Sequence, residues 1–352
     1  MFSFIRPLLF KFDPEIAHNL AIKSLKLNCL PNTFFQTENE DMLKINLFDK
    51  TFFNPIGLAA GFDKSAEVYN SIFKLGFGFI EVGTVTPLKQ YGNAKPRIFR
   101  LENDEALINR LGFNNDGSEI IYNRILSNPP KGILGINIGP NNDTKNQQND
   151  FLLGLKKFFD IADYITINIS SPNTKNLRDF HTDKMLLSLI RSINLEKSNL
   201  KTKIPIMLKI SPDINESSIE KISEIVLQNS ISAIILTNTS DESRENLNDI
   251  QKREIGGLSG KPIEEISNSL INKFYKILKR KIPIIGVGGV DSGKSAYNKI
   301  LAGASLVQLY TGMIYKGPQI VKNIKKELIY QLKKDGIKNF TEIIGQSSLS
   351  NF

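Results

Sequence analysis

The 352-residue chain predicts an α/β fold, a closed (β/α)8 TIM barrel with a small N-terminal helical extension. Three observations predict it. Short β-rich runs, apolar on both faces, alternate with stretches of helical patterning, as in a parallel sheet covered by helices. There are eight such units, the number that closes a barrel, and no G-x-G-x-x-G follows the first run to favour an open doubly wound sheet instead. Polar residues then recur where the runs end, which is where this fold carries its chemistry.

Taken in order, residues 1–38 read as a separate helical region and 39–352 as the barrel domain. Pro14 can open a helix with Asp13 as its cap, and Ile16, Leu20, Ile22, Leu25 and Leu27 form an apolar stripe. Before it, Phe2 to Phe10 make a shorter, greasier helix flanked by Arg6 and Lys11. Residues 42–55 read as a hairpin plugging the N-terminal end of the barrel. The strands are expected at Ile56–Gly61, Phe79–Val85, Ile133–Gly139, Tyr164–Ile169, Ile206–Ile210, Ala233–Thr237, Pro283–Val287 and Leu306–Tyr310. Helical stretches follow at Ser65–Leu75, Ser118–Ile125, Phe151–Phe159, Lys184–Ile193, Ser217–Leu227, Ile263–Leu278, Ser292–Ala302 and Val321–Lys333. The Ser-rich tail after Ile344 reads as frayed.

Composition narrows the chemistry. A net charge of +9 suits an anionic surface or ligand, but its lysines are scattered and form no compact block for nucleic acid. The single Cys29 excludes an intramolecular disulfide framework and a cysteine zinc cluster. With only His18 and His181, far apart in sequence, neither a metal site nor a Ser-His-Asp triad is expected. No stretch reaches the roughly 20 apolar residues of a membrane span, and the N-terminus lacks a signal-peptide cleavage site. Hydroxyls, amides, lysines, arginines or a bound cofactor must do the work.

The strand ends supply those groups. Gly61 and Lys64 follow the first run and Thr84 ends the second. Asn137 ends the third, and Asn168, Ser170, Ser171 and Asn173 end the fourth. Lys209 lies in the fifth; Thr237, Asn238 and Thr239 end the sixth. Gly286, Gly288 and Gly289, with a helix starting near Ser292, read as a phosphate cradle completed by Tyr310, Thr311 and Gly312. Lys64 or Lys209 could form a Schiff base, as in an aldolase or lyase, or place a positive charge against an anion. Ser171 has no histidine partner in the sequence around it.

Eight segments together resemble the dihydroorotate dehydrogenases: GLAAGFDK, VGTVTP, NRLGFNN, NISSPNT, TNT, GGLSGKP, PIIGVGGVDSG and LYTG, in that order. They are most similar to the quinone-linked, membrane-associated class. The resemblance implies oxidation of dihydroorotate to orotate in pyrimidine synthesis, with FMN in the barrel mouth. It implies Ser171 as the catalytic base, where another class uses cysteine. Lys64, Asn109, Arg110, Leu111, Gly112, Phe113, Asn168, Asn173, Asn238 and Thr239 match the substrate shell. Ala60, Gly61, Phe62, Asp63, Lys64, Thr84, Asn137, Asn168, Lys209, Thr237, Gly260, Gly289, Tyr310 and Thr311 match the FMN shell. Lys209 would there stabilise negative charge on the reduced cofactor.

The resemblance further implies that the N-terminal helices lie on a membrane and bring quinone to the flavin, with His18 and Arg97 near the quinone. A monomer on the cytoplasmic face of a bacterial inner membrane is expected. The chain departs from the family's usual Pro-Gly after NISSPNT, carrying Lys175 and Asn176 there. Asn tolerates the left-handed backbone that Gly would adopt, so the loop can still form. His181, in the same loop, is expected to face solvent. A Schiff-base enzyme and a non-catalytic membrane-binding barrel are the competing readings.

Overall fold

The structure, a computed structural model, describes residues 2–27, 40–242 and 244–348. Cys29, the 38/39 domain boundary and the last four residues lie outside the described residues. Two helices begin the chain, α1 (Phe2–Leu9) and α2 (Pro14–Lys26). Asp13 caps α2 as expected, its carboxylate accepting the N–H groups of Glu15 and Ile16. Arginines tie the pair to the rest of the molecule. Arg97 pairs with Glu15, Arg100 donates to the Phe10 and Phe12 carbonyls, and Arg6 donates to that of Tyr315. The opposite face leaves Phe4, Leu8, Ile16 and Leu20 exposed. No described helix is long and apolar enough to cross a membrane.

The hairpin β1 (Ile45–Leu47) and β2 (Lys50–Phe52) turns through Phe48 and Asp49, both at positive φ, as a tight two-residue hairpin demands. The barrel strands follow as β3 (Ile56–Leu58), β4 (Phe79–Val85), β7 (Ile133–Ile138), β8 (Tyr164–Asn168), β9 (Ile206–Ile210), β10 (Ala233–Leu236), β12 (Ile284–Val287) and β13 (Ala304–Leu309). All pair in parallel, and β13 returns to β3 to close the barrel. Each of the eight expected strands is present, its ends no more than three residues from those expected. Phe52 of the hairpin packs edge-on against Phe79 at 5.5 Å and plugs the N-terminal end.

Helices α4 (Ser118–Ser127), α5 (Gln147–Phe158), α6 (Asp183–Asn199), α7 (Glu216–Gln228), α8 (Glu264–Leu278), α9 (Gly293–Ala302) and α11 (Ile320–Lys334) cover the sheet where helical patterning predicts them. The first is shorter than expected. Of Ser65–Leu75 only α3 (Tyr69–Phe73) is helical, because the buried Asp63 carboxylate binds the N–H groups of Glu67 and Val68 and Ala66 sits at φ 53°. One layer was not expected at all: an antiparallel sheet of β5 (Ile98–Leu101), β6 (Ala106–Asn109) and β11 (Gly257–Gly260) lies at the mouth. A short helix, α10 (Thr311–Lys316), follows the last barrel strand. The tail is docked as far as described, Ser347 donating to the Leu301 carbonyl.

Candidate active site

Strands in a parallel barrel send alternate side chains inward, and the last inward layer opens into a cavity at the C-terminal ends. That cavity is lined by Ala60, Gly61 and Lys64 after β3 and by Thr84 in β4. Asn168, Ser171 and Asn173 come from the end of β8, Lys209 from β9, and Thr237, Asn238 and Thr239 follow β10. Gly288, Gly289 and Val290 after β12 and Tyr310, Thr311 and Gly312 after β13 complete the far wall. Sheet β5–β6–β11 covers the mouth, contributing Asn109, Ser259 and Gly260, with Leu111, Gly112 and Phe113 beyond it.

A hydrogen-bonded chain of amides holds the strand ends in register. Asn168 Nδ2 donates to Thr84 Oγ1 (3.0 Å) and Asn137 Oδ1 (3.2 Å), and its Oδ1 accepts from the Ser170 hydroxyl at 2.9 Å. Asn238 Nδ2 donates to Ser170 Oγ at 2.9 Å. Beneath them, Asn137 Nδ2 donates to Glu81, a fully buried carboxylate that also accepts from Tyr164, Thr166 and Gln308. Ser171 Oγ accepts the N–H of Asn173 at 3.2 Å, and Asn173 Nδ2 donates to the Asn109 carbonyl at 3.1 Å.

The cavity is electropositive. Burial pushes the Lys64 ammonium down to about 8, Glu15 opposing the shift, and lowers that of Lys209, with Glu81 opposing. Neither lysine is in an ion pair among the described residues. Burial raises the Tyr310 phenol to about 12, so it is neutral. At the glycine wall, Gly288 and Gly289 take φ of 112° and 75°, and a Cβ on Gly289 would overlap Glu264. The N–H groups of Gly289 and Val290 find no acceptor among the described residues, leaving them for a ligand.

Several expected site residues are not at the cavity. Arg110 turns its guanidinium onto Glu254 (2.9 Å) and the face of Phe99. Asp63 is spent on the turn after β3. Phe62 packs between His18, at 5.2 Å, and Tyr310, at 6.2 Å. Asn137 lies one layer below, holding Thr84 and Asn168. The helix near Ser292 does not face the cradle, since its first turn is closed by Ser292, Ser295 and Glu327. The start of α10 stands there instead.

Arg97 is buried in the Glu15 pair and the carbonyls of Tyr91 and Asn93, away from the cavity. Burial, and then the nearby Lys64 charge, holds His18 well below the usual histidine range. His181 does not face solvent. Its Nε2 is buried without a partner, and burial, reinforced by Arg178, pushes its pKa down to about 4. The sequence reading missed Ser259, which meets the Thr311 hydroxyl at 2.8 Å, and Glu81, whose only signal was a charge inside an apolar run.

The model of the dihydroorotate dehydrogenase family matches residues 42–332. The chain is 46% identical over 339 residues to dihydroorotate dehydrogenase (quinone) of Bartonella henselae, covering 95% of this chain and 92% of the relative. It is 45% identical over 335 residues to the protein of that name from Idiomarina loihiensis, covering 93% and 100%. A crystal structure of DHODH from Eimeria tenella in complex with ferulenol superposes with a TM-score of 0.91 at 38% identity, covering 95% of this chain and 96% of that one. The chain belongs to the dihydroorotate dehydrogenase family.

Proposed function

We propose that this chain oxidises dihydroorotate to orotate in pyrimidine biosynthesis, with FMN bound in the barrel mouth and a quinone as final electron acceptor. The observation that carries the site assignment is Ser171, set among the amides of Asn109, Asn168, Asn173 and Asn238 and in one cavity with Lys64 and Lys209. Amides both donate and accept, which suits a ring bearing carbonyls and N–H groups, and the Lys64 ammonium suits its carboxylate.

The residues fit FMN on two counts. Two lysines without a carboxylate partner, Lys209 buried and Lys64 partly so, leave a positive charge that an anionic cofactor offsets. The N–H groups of Gly289 and Val290 suit its phosphate. Thr84, Lys209, Thr237, Gly260, Gly289, Tyr310 and Thr311 would hold it. FMN bound there would supply a two-electron acceptor for the hydride that leaves the carbon next to the one Ser171 deprotonates, and a route for those electrons to the quinone. Ser171 Oγ is the proton acceptor. Its own hydroxyl hydrogen has no acceptor among the described residues, so as Oγ takes the substrate proton that hydrogen passes to solvent water.

Helices α1 and α2 lie on a membrane surface in this reading. Arg97 and Arg100 bind one side of the helix pair to the protein, while Phe4, Leu8, Ile16 and Leu20 stay exposed on the other. The quinone reaches the flavin past His18, Phe62 and Tyr310. The +9 charge suits the anionic cytoplasmic face of a bacterial inner membrane. A Schiff-base aldolase is not favoured by membership of this family.

Anaerobic addition of dihydroorotate to the purified protein should bleach the flavin absorbance. A soluble quinone should restore it and fumarate should not. A yellow protein that dihydroorotate leaves yellow would retain the cofactor and sink the substrate; a colourless one would sink both.

A further inference from the structure

The loop that carries Ser171 is tethered by a residue outside the cavity. After Ser171 the chain passes Asn176, which takes φ 58° and ψ 9°, and enters the tight turn Leu177–His181. This reversal sends the Arg178 side chain back beneath the loop. Its Nε donates to the Ser170 carbonyl at 3.3 Å, the peptide unit that leads into Ser171. Nη2 reaches Asp213 Oδ2 at 3.1 Å and the Thr239 carbonyl at 3.5 Å, and Nη1 reaches Asp241 Oδ1 at 2.7 Å. Asp213 is itself buried and fixed by the Ser240 hydroxyl and the Asp241 N–H.

One planar cation therefore joins the loops after β8, β9 and β10, touching the backbone of both segments that face the substrate. We infer that Arg178 is a positioning residue for the oxidation, clamping Ser171 and Thr239 in register through Asp213 and Asp241. The inference rests on the reading of Ser171 as the base. A guanidinium presents donors in a rigid fork to two carboxylates and two carbonyls at once, whereas an ammonium is a point donor and cannot span them. Misplacing a reacting group by ~1 Å costs about 100-fold in rate, so a loosened clamp should be felt at the chemistry without any lost contact to substrate.

The test compares FMN-loaded wild type, Arg178→Lys, Arg178→Ala and Ser171→Ala. Three quantities are read: the rate of flavin bleaching by dihydroorotate, the Kd of orotate from its effect on the flavin spectrum, and reoxidation of dithionite-reduced enzyme by a soluble quinone. Arg178→Ala should slow bleaching about 10- to 100-fold and weaken orotate binding, with reoxidation unchanged. Arg178→Lys should recover only part of the loss. Asp241→Asn should move bleaching the same way by less. Bleaching at the wild-type rate in both Arg178 variants would overturn the inference. So would a parallel fall in reoxidation, which marks a merely structural loss. Wild-type bleaching in Ser171→Ala would instead overturn the reading of the base.

Discussion

At the N-terminal end of the barrel Phe79, Tyr164, Met207, Ile235, Ile285 and Leu306 meet Phe52 in an apolar plug. At the C-terminal end the same strands finish in Thr84, Asn168, Lys209 and Thr237. The change occurs over a single pleat. Two residues beyond Phe79 comes Glu81, beyond Tyr164 comes Thr166, beyond Met207 comes Lys209, and beyond Leu306 comes Gln308. Successive inward positions in a strand lie two residues apart, so one step carries each strand from hydrocarbon to hydrogen bonds. Glu81 marks the border, collecting donors from Asn137 above and Tyr164 beside it. The plug can be uniform because its task is exclusion of water. The mouth cannot, because each polar group must find a partner or a ligand.

The sharpest way to break this comparison is a substitution at each end. Ser171→Ala should slow flavin bleaching by about 10²- to 10⁴-fold, the range for a lost general base, with the melting temperature unchanged. Phe79→Ala should cost about 3–5 kcal/mol of stability, measured by denaturant unfolding, because its buried ring fills the space over Gly57 and against Phe52. Its bleaching rate in the folded enzyme should stay near wild type. A stability loss from the first, or a specific rate loss from the second, would show that the two ends are not separable.

A smaller effect sharpens the electrostatics of the mouth. With its pKa pushed down to about 8 by burial, Lys64 is charged below that pH and neutral above it. Orotate affinity should therefore fall as pH rises through about 8, by roughly tenfold for one lost charge-assisted hydrogen bond of about 1.5 kcal/mol. Lys64→Met should bind weakly and show no such step, by spectral titration across pH 7–9. A step that persisted in this variant would assign the titration elsewhere. The smallest effect is expected at Asn176→Gly. Asn176 already sits at φ 58°, so stability should shift by no more than about 0.5 kcal/mol and bleaching hardly at all. A large loss would mean that the Asn side chain itself holds the loop.

Much of the architecture was legible in the chain. Short runs apolar on both faces and helices of period 3.6 are local properties, and their alternation located all eight barrel strands. Asp13 before Pro14 marked the start of α2 for the same reason, since a cap acts within three residues. The antiparallel sheet at the mouth was not legible. Its strands are four residues each, and β6 is paired with β11 from about 150 residues away.

The motifs placed most of the cavity-lining residues. They could not say which way a side chain turns once its backbone is in place. Arg110 is drawn out of the cavity by Glu254, 144 residues on, and the Nε2 of His181 is buried by the turn that places Arg178. Sequence by itself determined the barrel, the order of its strand ends and the chemical types gathered there, because those follow from periodicity and local backbone preference. Only the tertiary structure decided which of those residues face the ligand, which serve as props beneath it, and which cation holds the loop. Those outcomes depend on burial and on partners distant along the chain, which no local pattern encodes.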